Sequence, residues 1–269
     1  MSVFEKVEVS AAAAAERKNQ KVEEAQKTEA VLESLVSEAR YEEALKLLEQ
    51  SFIFYSAEEG ESGPGVARTL CRLATVYDKL GVYEQALECY EGSLAITLPA
   101  LGEDHPEVAA LYVGLAGVCN NLGMYEEAVG IYDKALAIYL TAVGPDHPEV
   151  AITYNNIGMS YDQQGQYELA LEFYERALEI YEKADKDEPV NPDVAMTYVN
   201  CAGIQEKCAE YDLAMELYDK ALAICFPIEG EDHPNVALIY NGLGRVYECQ
   251  EQYGEAMTYY EMVCVCVCV

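Results

Sequence analysis

A repeat period constrains this chain more than any other feature of its sequence. Pro64, Pro106, Pro148, Pro192 and Pro234 stand 42, 42, 44 and 42 residues apart. Tyr41, Tyr83, Tyr125, Tyr167, Tyr211 and Tyr253 keep the same register. Each is followed three residues later by an alanine: Ala44, Ala86, Ala128, Ala170, Ala214 and Ala256. A period of this length specifies a helical array, in which each unit is one supersecondary element that buries its apolar surface only by stacking on its neighbours.

Residues 150–181, VAITYNNIGMSYDQQGQYELALEFYERALEIY, show what one unit is. The spacing predicts a helix to about Gln164, a break at Gly165 and a second helix opening at Tyr167. Small residues (Gly158, Ala170 and Ala177) stand where the two helices must touch, and Tyr154, Tyr161 and Tyr174 surround them at helical spacing.

Gly158 in the first helix, Gly165 at the turn, and Ala170, Tyr174 and Ala177 along the second resemble the tetratricopeptide repeat (TPR). The 42-residue spacing, with D-H-P-E-V-A opening the first helix (helix A) and Y-N-N inside it, resembles the kinesin light chain type of that family. The resemblance runs over residues 22–261. It implies an all-α, right-handed superhelical solenoid of about six helix-turn-helix hairpins, with helix A lining the concave face.

The expected organisation follows the repeats. Residues 1–21 form a frayed N-terminus and 22–55 a degenerate capping repeat, with Leu32 where a small residue is usual and Leu48 where an aromatic is usual. Ser56–Gly65 reads as a loop. Residues 56–262 hold five repeats, starting near 66, 107, 149, 193 and 235. The loop before the fifth (ADKDEPVNP) is two residues longer than its counterparts. Residues 263–269 end in C-V-C-V-C-V, an alternation with the period of a strand. An alternating GT tract would encode such a run, so the tail reads as an artefactual or truncated end. A thiolate metal tail through Cys264, Cys266 and Cys268 is the alternative.

Charge narrows the function classes. The 17 basic and 48 acidic residues give a formal charge of −31. An acidic surface of this size argues against nucleic-acid phosphates and anionic membranes, and favours basic partners. The plainer alternative is that acid keeps a solenoid soluble. The 22 tyrosines, with no tryptophan, fall mostly at periodic positions where the ring packs and the hydroxyl reaches water. No secretory signal and no run of the ~18 apolar residues of a membrane span is evident. Cys71, Cys89, Cys119, Cys201, Cys208, Cys225 and Cys249 are scattered singly, which reads as reduced thiols in a cytoplasmic protein.

No enzyme signature is present: no P-loop, GxGxxG, GxSxG or HExxH. The protein reads as non-catalytic, with no catalytic residue, metal site or cofactor. His105, His147 and His233 occur in GEDHPEV, GPDHPEV and GEDHPNV, which read as helix starts. Asp104 and Asp146 are the expected caps, Glu107 and Glu149 close a capping box, and Pro is tolerated in the first turn.

The candidate binding residues are Asn155, Asn156, Asn200 and Asn241, all on A helices. An asparagine side chain is both donor and acceptor, so it can pair with the backbone of an extended peptide without reading its sequence. The resemblance to kinesin light chains implies this use, and a protein or peptide partner. Solvated asparagines on a helix surface are the alternative. Arg72 and Arg245 are the basic members of the candidate groove. Asp78, Asp162, Glu206 and Glu248 share those helices and make the field negative, which favours a basic or neutral peptide over an acidic one. The N-terminal region holds no sustained heptads, so pairing with kinesin heavy chain does not follow from the repeats. The function that emerges is a protein-protein interaction adaptor or scaffold gripping a peptide or helix in its concave groove. The alternative is the sensor or scaffold arm of a larger multidomain protein, truncated at its C-terminus.

Overall fold

A computed structural model describes residues 28, 30–184, 192–231 and 233–267. The expected frayed segment 1–21, most of the lengthened loop (185–191) and Cys268 of the tail lie outside the described residues. All regular structure among the described residues is helical. Helix α1 covers 30–37. It is followed by α2 (Tyr41–Glu59), α3 (Pro64–Lys79), α4 (Tyr83–Leu101), α5 (Pro106–Asn121), α6 (Tyr125–Ala142) and α7 (Pro148–Gln163). Then come α8 (Tyr167–Ala184), α9 (Pro192–Lys207), α10 (Tyr211–Glu229), α11 (Pro234–Cys249) and α12 (Tyr253–Val267). Odd-numbered helices are A helices and even-numbered ones are B helices.

The chain divides into two compact units, Met1–Ala100 and Leu101–Val269. In the first, Leu32 and Leu35 of α1, Ala44 and Leu48 of α2, and Leu73 and Val76 of α3 share one core. In the second, each B helix packs on its own A helix and, up to α10, on the A helix that follows. At Gly158 the two helices of the central hairpin approach closely. A Cβ there would lie 2.7 Å from Tyr174 Cε1 and 3.2 Å from the Ala170 carbonyl oxygen. Tyr161 stacks on Phe173 across the same hairpin, and Tyr247 on Tyr259 in the last, both with ring centroids 5.4 Å apart.

The A helices start at the periodic prolines, whose missing N–H has no helical partner to lose at the first position. The caps are not the expected aspartates. His105, His147 and His233 are the N-caps, and Nδ1 of each accepts a backbone N–H from Glu107 (3.1 Å), Glu149 (3.2 Å) and Asn235 (3.2 Å). Proline holds the residue before it in extended backbone, and that is the conformation an N-cap needs. The aspartate stands one residue too early. In the second repeat Gly63 takes the histidine's place, and Glu59 reaches over from the end of α2. Its Oε2 accepts the Gly65 N–H at 2.7 Å.

Two other expectations change. The region Ser56–Gly65 is not all loop: α2 runs on to Glu59 and stops at Gly60, the first residue there that breaks a helix. The Val-Cys alternation does not switch to strand, because α12 continues through it to Val267. Extending a formed helix fixes one residue for each bond gained, so propagation wins over a weak local preference for strand.

Candidate interaction groove

In the second unit successive A helices touch: α5 with α7, α7 with α9, and α9 with α11. Among the described residues no successive B helices make a comparable contact. The A helices are thus drawn together, and their row is the inner face of this unit.

Polar side chains stitch the row. Asn200 Nδ2 on α9 donates to Asn155 Oδ1 on α7 at 3.2 Å. Ser160 Oγ on α7 donates to Asn120 Oδ1 on α5 at 2.9 Å. Lys207 Nζ reaches both oxygens of Asp162, at 2.7 and 2.8 Å. Arg245 Nη2 donates to Glu206 Oε2 at 2.8 Å, and Tyr218 OH donates to the same oxygen at 3.3 Å. Burial opposes the charge on Arg245, but Glu206 outweighs it and the guanidinium pKa is raised. Burial, followed by the Glu206 charge, pushes the Tyr218 hydroxyl up to about 12.

Five of the six residues predicted for the groove fall in this unit: Asn155, Asn156, Asn200, Asn241 and Arg245. The four asparagines are half-buried. Asn156 and Asn200 stand eight residues after their helix's proline, and Asn155 and Asn241 seven. The structure joins Asn155 to Asn200 directly, across that one-residue offset. Asn156 sits one position on, its backbone carbonyl accepting from Ser160 Oγ at 3.0 Å. Arg72 is on α3, in the first unit. Arg245 enters the row as the ion-pair partner of Glu206.

Asn120 and Ser160 were missed by sequence reasoning, and Asp162 and Glu206 were counted only as background charge. For Asn120, Asp162 and Glu206 the signal is present in the sequence: position fourteen after each proline is Asp78, Asn120, Asp162, Glu206 and Glu248. Chemically the row offers hydrogen bonds and ion pairs. The Cys201 and Cys225 thiols are buried and pushed up to about 12, chiefly by that burial. Among the described residues no group of three or more His, Cys, Asp or Glu side chains could hold a metal ion. None of the described helices is long and apolar enough to cross a membrane.

The tetratricopeptide repeat profile matches residues 33–98, 79–129, 107–183 and 193–264. This chain belongs to the tetratricopeptide repeat family. No curated protein matches the TPR chain by sequence. Among solved structures, it is similar to a putative kinesin light chain of Podosopora anserina with nearly identical TPR-like repeats. That match has 25% identity, a TM-score of 0.60 and coverage of 76% of this chain and 95% of the other. BtubC (BKLC) from P. vanneervenii matches with a TM-score of 0.66 and 22% identity, over 81% of this chain and 90% of that one. The apo form of RapI matches with a TM-score of 0.61 and 16% identity, over 87% and 94%. The TPR architecture is therefore an all-α solenoid of about six hairpins, and its repeats are of the kinesin light chain type.

Proposed function

We propose that the A-helix row of residues 101–269 is a peptide-binding groove, and that the protein is a non-catalytic, cytoplasmic adaptor or scaffold. Its TPR fold and its neighbours support an interaction-scaffold role in general. The observation that carries the finer reading is the Asn200–Asn155 hydrogen bond between adjacent A helices. It holds two amide side chains, half-buried, on the inner face. One bond uses only part of an amide's two donors and its two acceptor lone pairs, so a bound backbone can join the ladder. Asn156 and Asn241 extend the same band along α7 and α11.

The charge of the ligand follows from the ion pairs. Lys207 and Arg245 are the basic residues of the A helices in this unit, and Asp162 and Glu206 already engage them. An acidic peptide would have to compete for those cations within a protein of net charge −31. A basic or neutral segment binds without that cost, as an extended peptide or a helix laid in the groove.

The test is a pull-down from cell lysate with residues 1–269, beside Asn155→Ala, Asn156→Ala, Asn200→Ala combined, under reducing conditions. Circular dichroism establishes equal helicity. The expected result is that the native chain retains proteins that the triple variant loses. Retention of the same set by both would assign binding elsewhere.

A further inference from the structure

Two helix faces, one near each end of the described chain, carry to solvent the residues whose counterparts are covered in the other repeats. The first is on α12. Interior B helices contact the following A helix through the residues at their start and four, seven and eleven positions later. In α8 these are Tyr167, Leu171, Tyr174 and Leu178, which pack with Cys201 and Ile204 of α9. In α10 they are Tyr211, Met215, Tyr218 and Leu222, which pack with Leu243 and Val246 of α11. The same stripe on α12 is Tyr253, Met257, Tyr260 and Cys264. Tyr253 is 65% exposed and Met257 61%. Tyr211 and Met215, their counterparts, are half-buried.

The second face is on α1. Interior A helices receive the preceding B helix on residues nine and twelve positions into the repeat, such as Leu73 and Val76, Cys201 and Ile204, and Leu243 and Val246. All of these are buried. In the first repeat those positions are Val31 and Ser34. Val31 is 52% exposed, and Ser34 is exposed as well. A serine at this place tolerates burial, as its equivalent Ser160 is fully buried with hydrogen bonds to Asn120 and Asn156.

We propose that these faces bind each other between copies, α12 of one molecule against α1 of the next. The contact would continue, from one molecule to another, the B-to-A interface that α2 makes with α3 and α10 makes with α11. The occupant is a second copy because the two faces are in matching register and of complementary size: Tyr253, Met257 and Tyr260 are large, whereas Val31 and Ser34 are small. Pairing α12 with itself would set large side chains against large. Such a head-to-tail contact is heterologous, and its repetition builds either a closed ring or a longer assembly. The charge of −31 on each copy opposes it, and screening by salt strengthens it.

The experiment is sedimentation velocity on the full chain over a range of protein and salt concentrations, with reductant present because Cys208, Cys249 and Cys264 are exposed. The native protein is expected to increase in mass with protein concentration, and more steeply at high salt. Val31→Glu and Met257→Glu each change an exposed side chain and should each remain monomeric with native helicity. Mixed in equal amounts, the two variants retain one intact face apiece, and they should form a species of twice the monomer mass and nothing larger. Leu213→Glu adds the same charge at another exposed site and should leave association intact. A native chain that stays monomeric throughout overturns the proposal. So does loss of association on Met257→Glu alone, a mixture that fails to pair, or an equal effect of Leu213→Glu.

Discussion

At the scale of single residues, the glycines separate into two physical kinds. A Cβ at Gly158 would stand 2.7 and 2.8 Å from the Tyr174 ring, which is itself fully buried, and 3.2 Å from a backbone carbonyl. At Gly203 a Cβ would meet nothing within 4 Å. Overpacking typically costs about 1–3 kcal/mol. Replacing a helical glycine by alanine otherwise returns about 0.5–1 kcal/mol. Gly158→Ala should therefore destabilise the protein and Gly203→Ala stabilise it, a difference of sign that urea unfolding of both variants would read directly. If both variants gained stability, Tyr174 would not be fixed where it stands. Gly158 was legible in the sequence because its place relative to Ala170 and Ala177 repeats along the chain. The capping residues were not. Asp-His-Pro offers two adjacent candidates, and only the constraint that proline puts on the residue before it chooses the histidine.

At the scale of the helix pair, every described turn between an A helix and its B helix uses one motif. The second residue past the end of helix A takes a positive φ and donates to a carbonyl three residues back, and the next N–H reaches five residues back. Gly165 to Asp162 and Gln166 to Tyr161, both at 2.9 Å, are an example. Gly81, Gly123 and Gly165 fill the position in three hairpins, but Ala39, Ala209 and Glu251 fill it in the others, with φ of 55, 62 and 62°. A residue with a Cβ in the left-handed region costs about 1–2 kcal/mol. Glu251→Gly and Ala209→Gly should each recover about 1 kcal/mol, less what the more flexible unfolded chain takes back. The check is the thermal midpoint of each variant, expected to rise; a fall would mean the turn is held open by something other than this backbone strain. The helix boundaries were legible because proline and glycine mark them. The Asn155–Asn200 bond was legible only as a tendency. The two residues are 45 apart and one position out of register, and the offset is set by how one A helix lies against the next.

At the scale of the whole molecule, the tyrosines that fill both units tie stability to alkaline pH. Tyr90 lies in the first unit and Tyr218 in the second. Burial, above all, raises each from 10.0 to about 12. The same cause raises Tyr139, Tyr174 and Tyr181 further. A phenol whose folded pKa lies above its unfolded value binds its proton more tightly in the native state. Its contribution is complete below pH 10 and is lost as the pH climbs through about 12, because over that window the unfolded chain has released protons that the native chain still holds. Helicity should therefore hold up to pH 10 and then collapse cooperatively as the pH nears 12. A late step in phenolate absorbance should coincide with the loss of circular dichroism. Tyr90→Phe removes one such ionisation without removing the ring, and should move the first unit's share of the collapse to higher pH. If the late absorbance step appeared while the helical signal was intact, the buried hydroxyls would be ionising inside the folded protein, and the tyrosine packing would not be what limits stability in alkali.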